Sequence, residues 1–151
     1  MEATSLDIAI EEILDSIEDS LKSAAKKNGS LEEVKEIVRG DRHKTKPKVP
    51  AVWIFSETAT CEHLSSIVEN WTLPVILSAI VKEDRPEAGY RKATRLAAKA
   101  RSEILKERTL GLRKFVQDSQ SARFEASAPW LREGSLFAAN AVLNVIFRVK
   151  E

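Results

Sequence analysis

One cysteine, one methionine, one tyrosine and five glycines are spread over 151 residues. A lone thiol, Cys61, excludes an internal disulfide and fits a reducing compartment. The glycines (29, 40, 89, 111 and 134) stand singly, so no glycine-rich phosphate loop is present. Neither a nucleophile elbow nor a zinc-protease helix occurs. No apolar run approaches the ~20 residues that span a bilayer. Histidine is scarce too. Cys61 and His63 share one strand face, and His43 lies in a basic loop. A metal site needs three or four converging ligands, and these do not supply them. Glu57, Glu62 and His63 are loose acid–base candidates that nothing in the sequence orders. The expectation is a protein without enzymatic activity, cofactor or metal.

What is present is a globular composition, 43% hydrophobic and 31% charged. The length suits one domain, 1–151, with its own core. The acidic opening, "MEATSLDIAIEEILDSIEDS", lacks the basic start of a secretory signal, so a cytoplasmic protein is expected. Net charge is only +1, but the charges are segregated. Residues 1–38 carry ten acids against four bases, and residues 85–114 carry ten bases against three acids. Between them, "RGDRHKTKPK" holds Arg39, Arg42, Lys44, Lys46 and Lys48 against the single carboxylate of Asp41. Segments of opposite sign can mate within one chain or between copies.

Periodicity predicts the elements. Leu6, Ile10, Ile13, Leu14, Ile17 and Leu21 recur at three and four, an amphipathic helix stopped by Asn28–Gly29. A short strand around Ile37–Val38 follows, and "AVWIFSETATCEHL" reads as a strand rich in β-branched and aromatic residues. In the next extended run, about 66–81, alternation sets Trp71, Leu73, Val75, Leu77, Ala79 and Val81 on one side. Pro74 interrupts it, which predicts an edge strand or a bulge. Pro86 opens a second helix, with Asp84 as its cap and Ala93, Ala97 and Ala100 on an inner face that lets it lie close to a sheet. A strand hairpin closes the chain, with Phe137 to Val149 alternating inward. The predicted class is α+β: an antiparallel sheet of about four to five strands covered by two helices, in the order α-β-β-β-α-β-β.

Three features suit binding. Arg91, Arg95 and Lys99 step by four along the second helix and make a cationic stripe. Its bland use is a solvated surface; its sharper use is to meet the acidic face of the first helix, Glu11, Asp15 and Glu18, in a neighbouring copy. Trp130, Leu131 and Arg132 sit at the predicted hairpin tip, where they either fold back on the core or anchor another chain. The loop 39–48 is expected to be flexible and to meet a partner or nucleic acid. A small nucleic-acid-binding α+β module using that loop and helix 86–107 is the alternative reading. Against it, only Tyr90 supplies an aromatic beside these cations.

The leading helix, "RGDRHKTKPKVPAVWIF", "WTLPVILSAIV", "PEAGYRKATRLAAKARSEIL", "RTLGL" and the final "AANAVLNVIFRVK" together resemble the tail terminator proteins of long-tailed bacteriophages, also called head-to-tail joining or tail completion proteins. The likeness is one of layout and covers nearly the whole chain. It implies a structural virion protein at the tail–head junction, present in the host cytoplasm during assembly. Such proteins form a ring, usually of six copies, that caps the tail tube and ends its polymerisation. The implied partners are the chain itself, the tail-tube protein and the head connector or completion protein. DNA passes through the channel without its sequence being read, and no cofactor or membrane is involved.

Overall fold

The computed structural model describes residues 5–40, 46–63, 67–129 and 135–150. Two helices, α1 (Leu6–Ala24) and α2 (Pro86–Leu105), lie against a six-stranded sheet. The strands are β1 (Glu36–Arg39), β2 (Ala51–Ser56), β3 (Thr60–His63), β4 (Val68–Lys82), β5 (Val116–Pro129) and β6 (Leu136–Lys150). Their spatial order is β1-β2-β4-β6-β5, with β3 also paired to β4. The α+β class holds, but the sheet is mixed, because β1 and β2 run parallel.

That parallel pair explains the basic loop. Strands that point the same way need a return connection, commonly a dozen residues or more. Here residues 40–50 supply it. Part of the return runs beside β1: the Lys48 amide donates to Glu36 Oε1 at 3.4 Å, and the Lys35 amide to the Pro50 carbonyl at 2.8 Å. Glu36 Oε1 also accepts from Trp53 Nε1 at 2.9 Å.

The expected single strand over 51–64 is two strands, and Pro74 supplies the reason. β2 and β3 pair in turn along one side of β4, with Ser56 opposite Val75 and Thr60 opposite Thr72. Three residues, 57–59, therefore face two, a bulge of one residue. The N–H and C=O of a strand residue point to the same side, so the donor that Pro74 lacks would have faced this gap. The Pro74 carbonyl still accepts the Glu57 amide at 2.9 Å. β4 is thus no edge strand: β6 pairs with it along its whole length. Of the two sequence expectations for Pro74, the bulge is the one realised.

One face of the sheet meets the helices. Leu73, Val75, Leu77, Ala79 and Val81 of β4 join Phe137, Ala139, Ala141, Leu143, Val145, Phe147 and Val149 of β6 in one buried cluster. α1 contributes Ala9, Ile13, Leu14, Ile17 and Leu21 to it. Full burial of a side chain such as Ile13 or Ile17 stabilises by about 1.5–3 kcal/mol. α2 presents Ala93, Ala97 and Ala100, none of them accessible, and packs on β4, β5 and β6. Its N-cap is Arg85, not Asp84, and no side chain caps it. Pro86 is the cause, since the residue before a proline is driven into the extended region, and Arg85 has φ −99° and ψ 126°. The helix then starts on Pro86, whose missing N–H costs nothing there.

Neither described helix lies on the opposite face, yet Val142 on it is buried. Ion pairs lie over this side. Arg123 of β5 donates to Glu57, beyond the end of β2, and through Nε to Glu125 at 3.2 Å. Asn140 Nδ2 donates to Glu125 Oε2 at 2.9 Å. β6 and β4 lie between Arg123 and Glu57, and adjacent strands stand about 4.8 Å apart. The outer strand β5 breaks register three times, at 116/118, 121/123 and 125/128. Such bulges are a common way to blunt an exposed edge.

Candidate functional site

Two surfaces of opposite charge stand out. The first is a cleft of about 380 Å³ between the middle of α2, the end of β4 and the return segment. Its apolar floor is Val49, Pro50, Val81 and Leu96, and its rim carries Lys82, Lys92, Arg95 and Lys99 with one acid, Glu33. Lys99 Nζ sits 3.2 Å from Glu33, and Lys92 Nζ 2.5 Å from Glu83. Arg95 and Lys82 form no ion pair among the described residues. The cleft therefore keeps unspent positive charge above an apolar base.

The helical lining follows from the geometry of α2. A helix turns about 100° per residue, so residues four apart drift by about 40° per step. Arg91, Arg95 and Lys99 therefore spread over about 80° of α2, and Lys92, Arg95, Leu96 and Lys99 over about 100° centred further round, toward the cleft. Arg95 and Lys99 reach the cleft and Arg91 does not line it. Lys92, Lys82 and Glu33 were missed. Lys92 was legible from the three-and-four spacing, while Lys82 and Glu33 arrive from distant parts of the chain.

The second surface is the outward side of α1. Glu12, Asp15 and Asp19 line a shallow acidic depression with Ser16, Ser20 and Ser23, closed by the turn at Leu110–Leu112. Ser16 Oγ donates to the Leu110 carbonyl at 2.6 Å, which fixes that turn against the helix. Leu110 itself has φ 57° and Gly111 φ 70°, so the chain reverses through the left-handed region here. One turn above Glu12, Ile8 is 52% exposed.

The remaining predicted residues fall as follows. Arg39 is not an outward loop cation: it ends β1, is only 4% exposed, and bonds Glu11 Oε2 through Nη1 at 2.7 Å. Asp15 Oδ1 lies 3.6 Å from the same Nη1. Glu11 and Asp15 are thus engaged within the chain, tying α1 to β1, and Glu18 pairs with Lys22 at 3.6 Å. Alternation along β1 is what sends Arg39 to the helix side beside buried Ile37. Lys46 and Lys48 are exposed. Arg42, His43, Lys44, Trp130, Leu131 and Arg132 lie outside the described residues. Cys61 is exposed on β3, and Glu57 is held by Arg123. Among the described residues no group of three or more His, Cys, Asp or Glu side chains is placed to hold a metal ion. None of the described helices is long and apolar enough to cross a membrane.

Several surface carboxyls are held below their ordinary value. Lys106 and then Ser30, whose Oγ is 2.5 Å away, lower Glu103 from 4.5; Lys92, then the Asp84 amide, lower Glu83. Asn140, then Arg123, lower Glu125. A carboxyl lowered on folding stabilises above its unfolded value and loses that contribution as pH falls through the folded one. These small terms are therefore intact at neutral pH and fade only below about pH 4.5. Carbon-detected NMR titration is expected to find Glu103 ionising below 4.5, and Ser30→Ala is expected to move it upward. An unchanged midpoint in Ser30→Ala would remove the serine from that explanation.

No protein-family model matches the chain, and no curated protein matches it.

Proposed function

We propose that this chain is a structural protein of a tailed bacteriophage or prophage, located at the tail–head junction, that caps the tail tube as a ring. In that role it ends tube polymerisation and joins the tail to the head connector while DNA passes through the channel. The observation that carries the reading is the pair of unlike faces on one rigid unit: a cationic cleft beside α2 and an acidic face on α1. A ring is a heterologous assembly, in which one patch must match a different patch of the next copy. The element order, from leading helix to closing hairpin, is the layout on which the resemblance to tail terminators rests.

The test is electron microscopy of the purified chain mixed with tail tubes. Annular particles, or tubes that end in a cap and stop growing, are the expected result. Tubes that elongate as before would overturn the reading. The return loop has a place in it as a contact to the connector. Reversing Lys44, Lys46 and Lys48 to glutamate is expected to abolish head–tail joining without shifting the melting temperature. Normal joining by that variant removes the loop from the mechanism.

The nucleic-acid alternative has less to work with. Of its cations, Arg39 is buried, Lys99 is paired with Glu33 and Lys92 with Glu83. A steeply salt-dependent gel shift on plain duplex DNA would favour it.

A further inference from the structure

Ile8 and Glu12 are one helical turn apart, and Asp15 and Asp19 follow at seven and eleven, so all four share a face of α1. That face is acidic, walls the shallow depression closed by Leu110–Leu112, and carries at its N-terminal end an apolar side chain more than half exposed. Glu12 and Asp19 form no ion pair among the described residues. The cleft beside α2 carries the complementary charge, with Arg95 and Lys82 on its rim above an apolar floor of Val49, Val81 and Leu96. Each surface is missing what the other offers.

Ile8 cannot reach the cleft of its own molecule. The C-terminal end of α1 approaches the cleft, because the Leu31 amide bonds the Ala24 carbonyl and Glu33, which follows, lines the cleft wall. Ile8 is sixteen residues up the helix from Ala24, about 24 Å at 1.5 Å per residue. The occupant has to come from elsewhere.

We propose that the Ile8–Glu12–Asp19 face of α1 seats in the Arg95–Lys82 cleft of a second copy of this chain. Ile8 enters over the apolar floor, and Glu12 and Asp19 meet the two unpaired cations. Donor and acceptor surfaces differ, so each copy can give one and receive one, and the contact propagates until it closes. This deepens the ring reading and rests on it only for closure. It also replaces the pairing expected from sequence: Glu11 and Asp15 serve Arg39, Glu18 serves Lys22, and Lys99 serves Glu33.

Sedimentation of the full chain over a concentration series tests it. The wild type is expected to self-associate at low salt and to dissociate as salt screens the rim charges. Arg95→Glu and Glu12→Arg, both at exposed positions, are each expected to weaken association by about tenfold or more, with unchanged melting. Ile8→Asp is expected to abolish association. The double variant Glu12→Arg/Arg95→Glu restores opposite charges across the contact and is expected to return association to within a few-fold of wild type. A wild type that stays monomeric throughout, or an Arg95→Glu chain that associates as tightly, overturns the contact; the latter is also the result if an acidic segment of another protein fills the cleft. Tube capping separates this from the ring reading. Capping retained by Arg95→Glu removes the contact and leaves the ring. Tubes left uncapped by a wild type whose association responds to the charge swap keep the contact and remove the cap.

Discussion

Truncating Phe137 to alanine is expected to cost about 3–5 kcal/mol of folding stability, read as a shift of the denaturation midpoint. The ring is 2% exposed and pins the N-terminal half of α2 to the start of β6. Tyr90 meets it edge-on, with centroids 5.1 Å apart at 79°. Gly89 lies over the ring so closely that a Cβ there would overlap it, coming within 2.6 Å of Cγ and Cε2. Gly89→Ala should therefore destabilise, although alanine is the better helix former by about 1 kcal/mol. Overpacking costs about 1–3 kcal/mol and outweighs that gain. The decisive measurement is the pair. In a Phe137→Leu background the smaller side chain leaves room, and Gly89→Ala should become neutral or stabilising. Equal losses in both backgrounds would show that the glycine is not there for the ring.

Arg39→Glu is expected to be comparably damaging, by about 3–5 kcal/mol at neutral pH. The substitution places a carboxylate in a site 4% exposed, facing Glu11 and Asp15. Crowded like charges raise carboxyl pKa values in the fold. The sign then follows: the penalty is largest above those raised values and shrinks as pH falls and the carboxyls protonate. Arg39→Met separates charge from packing. It keeps the stem against the core, and Glu11 and Asp15 are half exposed and can be solvated. Its cost should stay within about 1 kcal/mol. If Met and Glu cost the same, the three-residue ion cluster contributes nothing specific.

Much of the architecture is legible in the amino-acid sequence. The spacing of Ile13, Ile17 and Leu21 marked α1, and these residues are inaccessible in the fold. Alternation from Leu73 to Val81 and from Phe137 to Val149 identified the sheet face that meets the helices. These signals are local and repeat, so a single chain can carry them. The bulge at Pro74 was legible too, but the split of the strand opposite it was not. That break is written in a partner's missing N–H, and no property of residues 57–59 announces it.

The binding surfaces divide in the same way. Which segments are acidic and which basic is a property of the sequence alone, and so is the face on which Ile8 and Glu12 align. Which of those charges remain available is a tertiary matter. A parallel β1–β2 pair turns the basic loop into a return connection and delivers Arg39 inward to α1. The turn after α1 brings Glu33 to Lys99, and the end of β4 brings Lys82 beside Arg95. Neutralisation depends on distances between residues remote in sequence, and only the folded chain sets those distances.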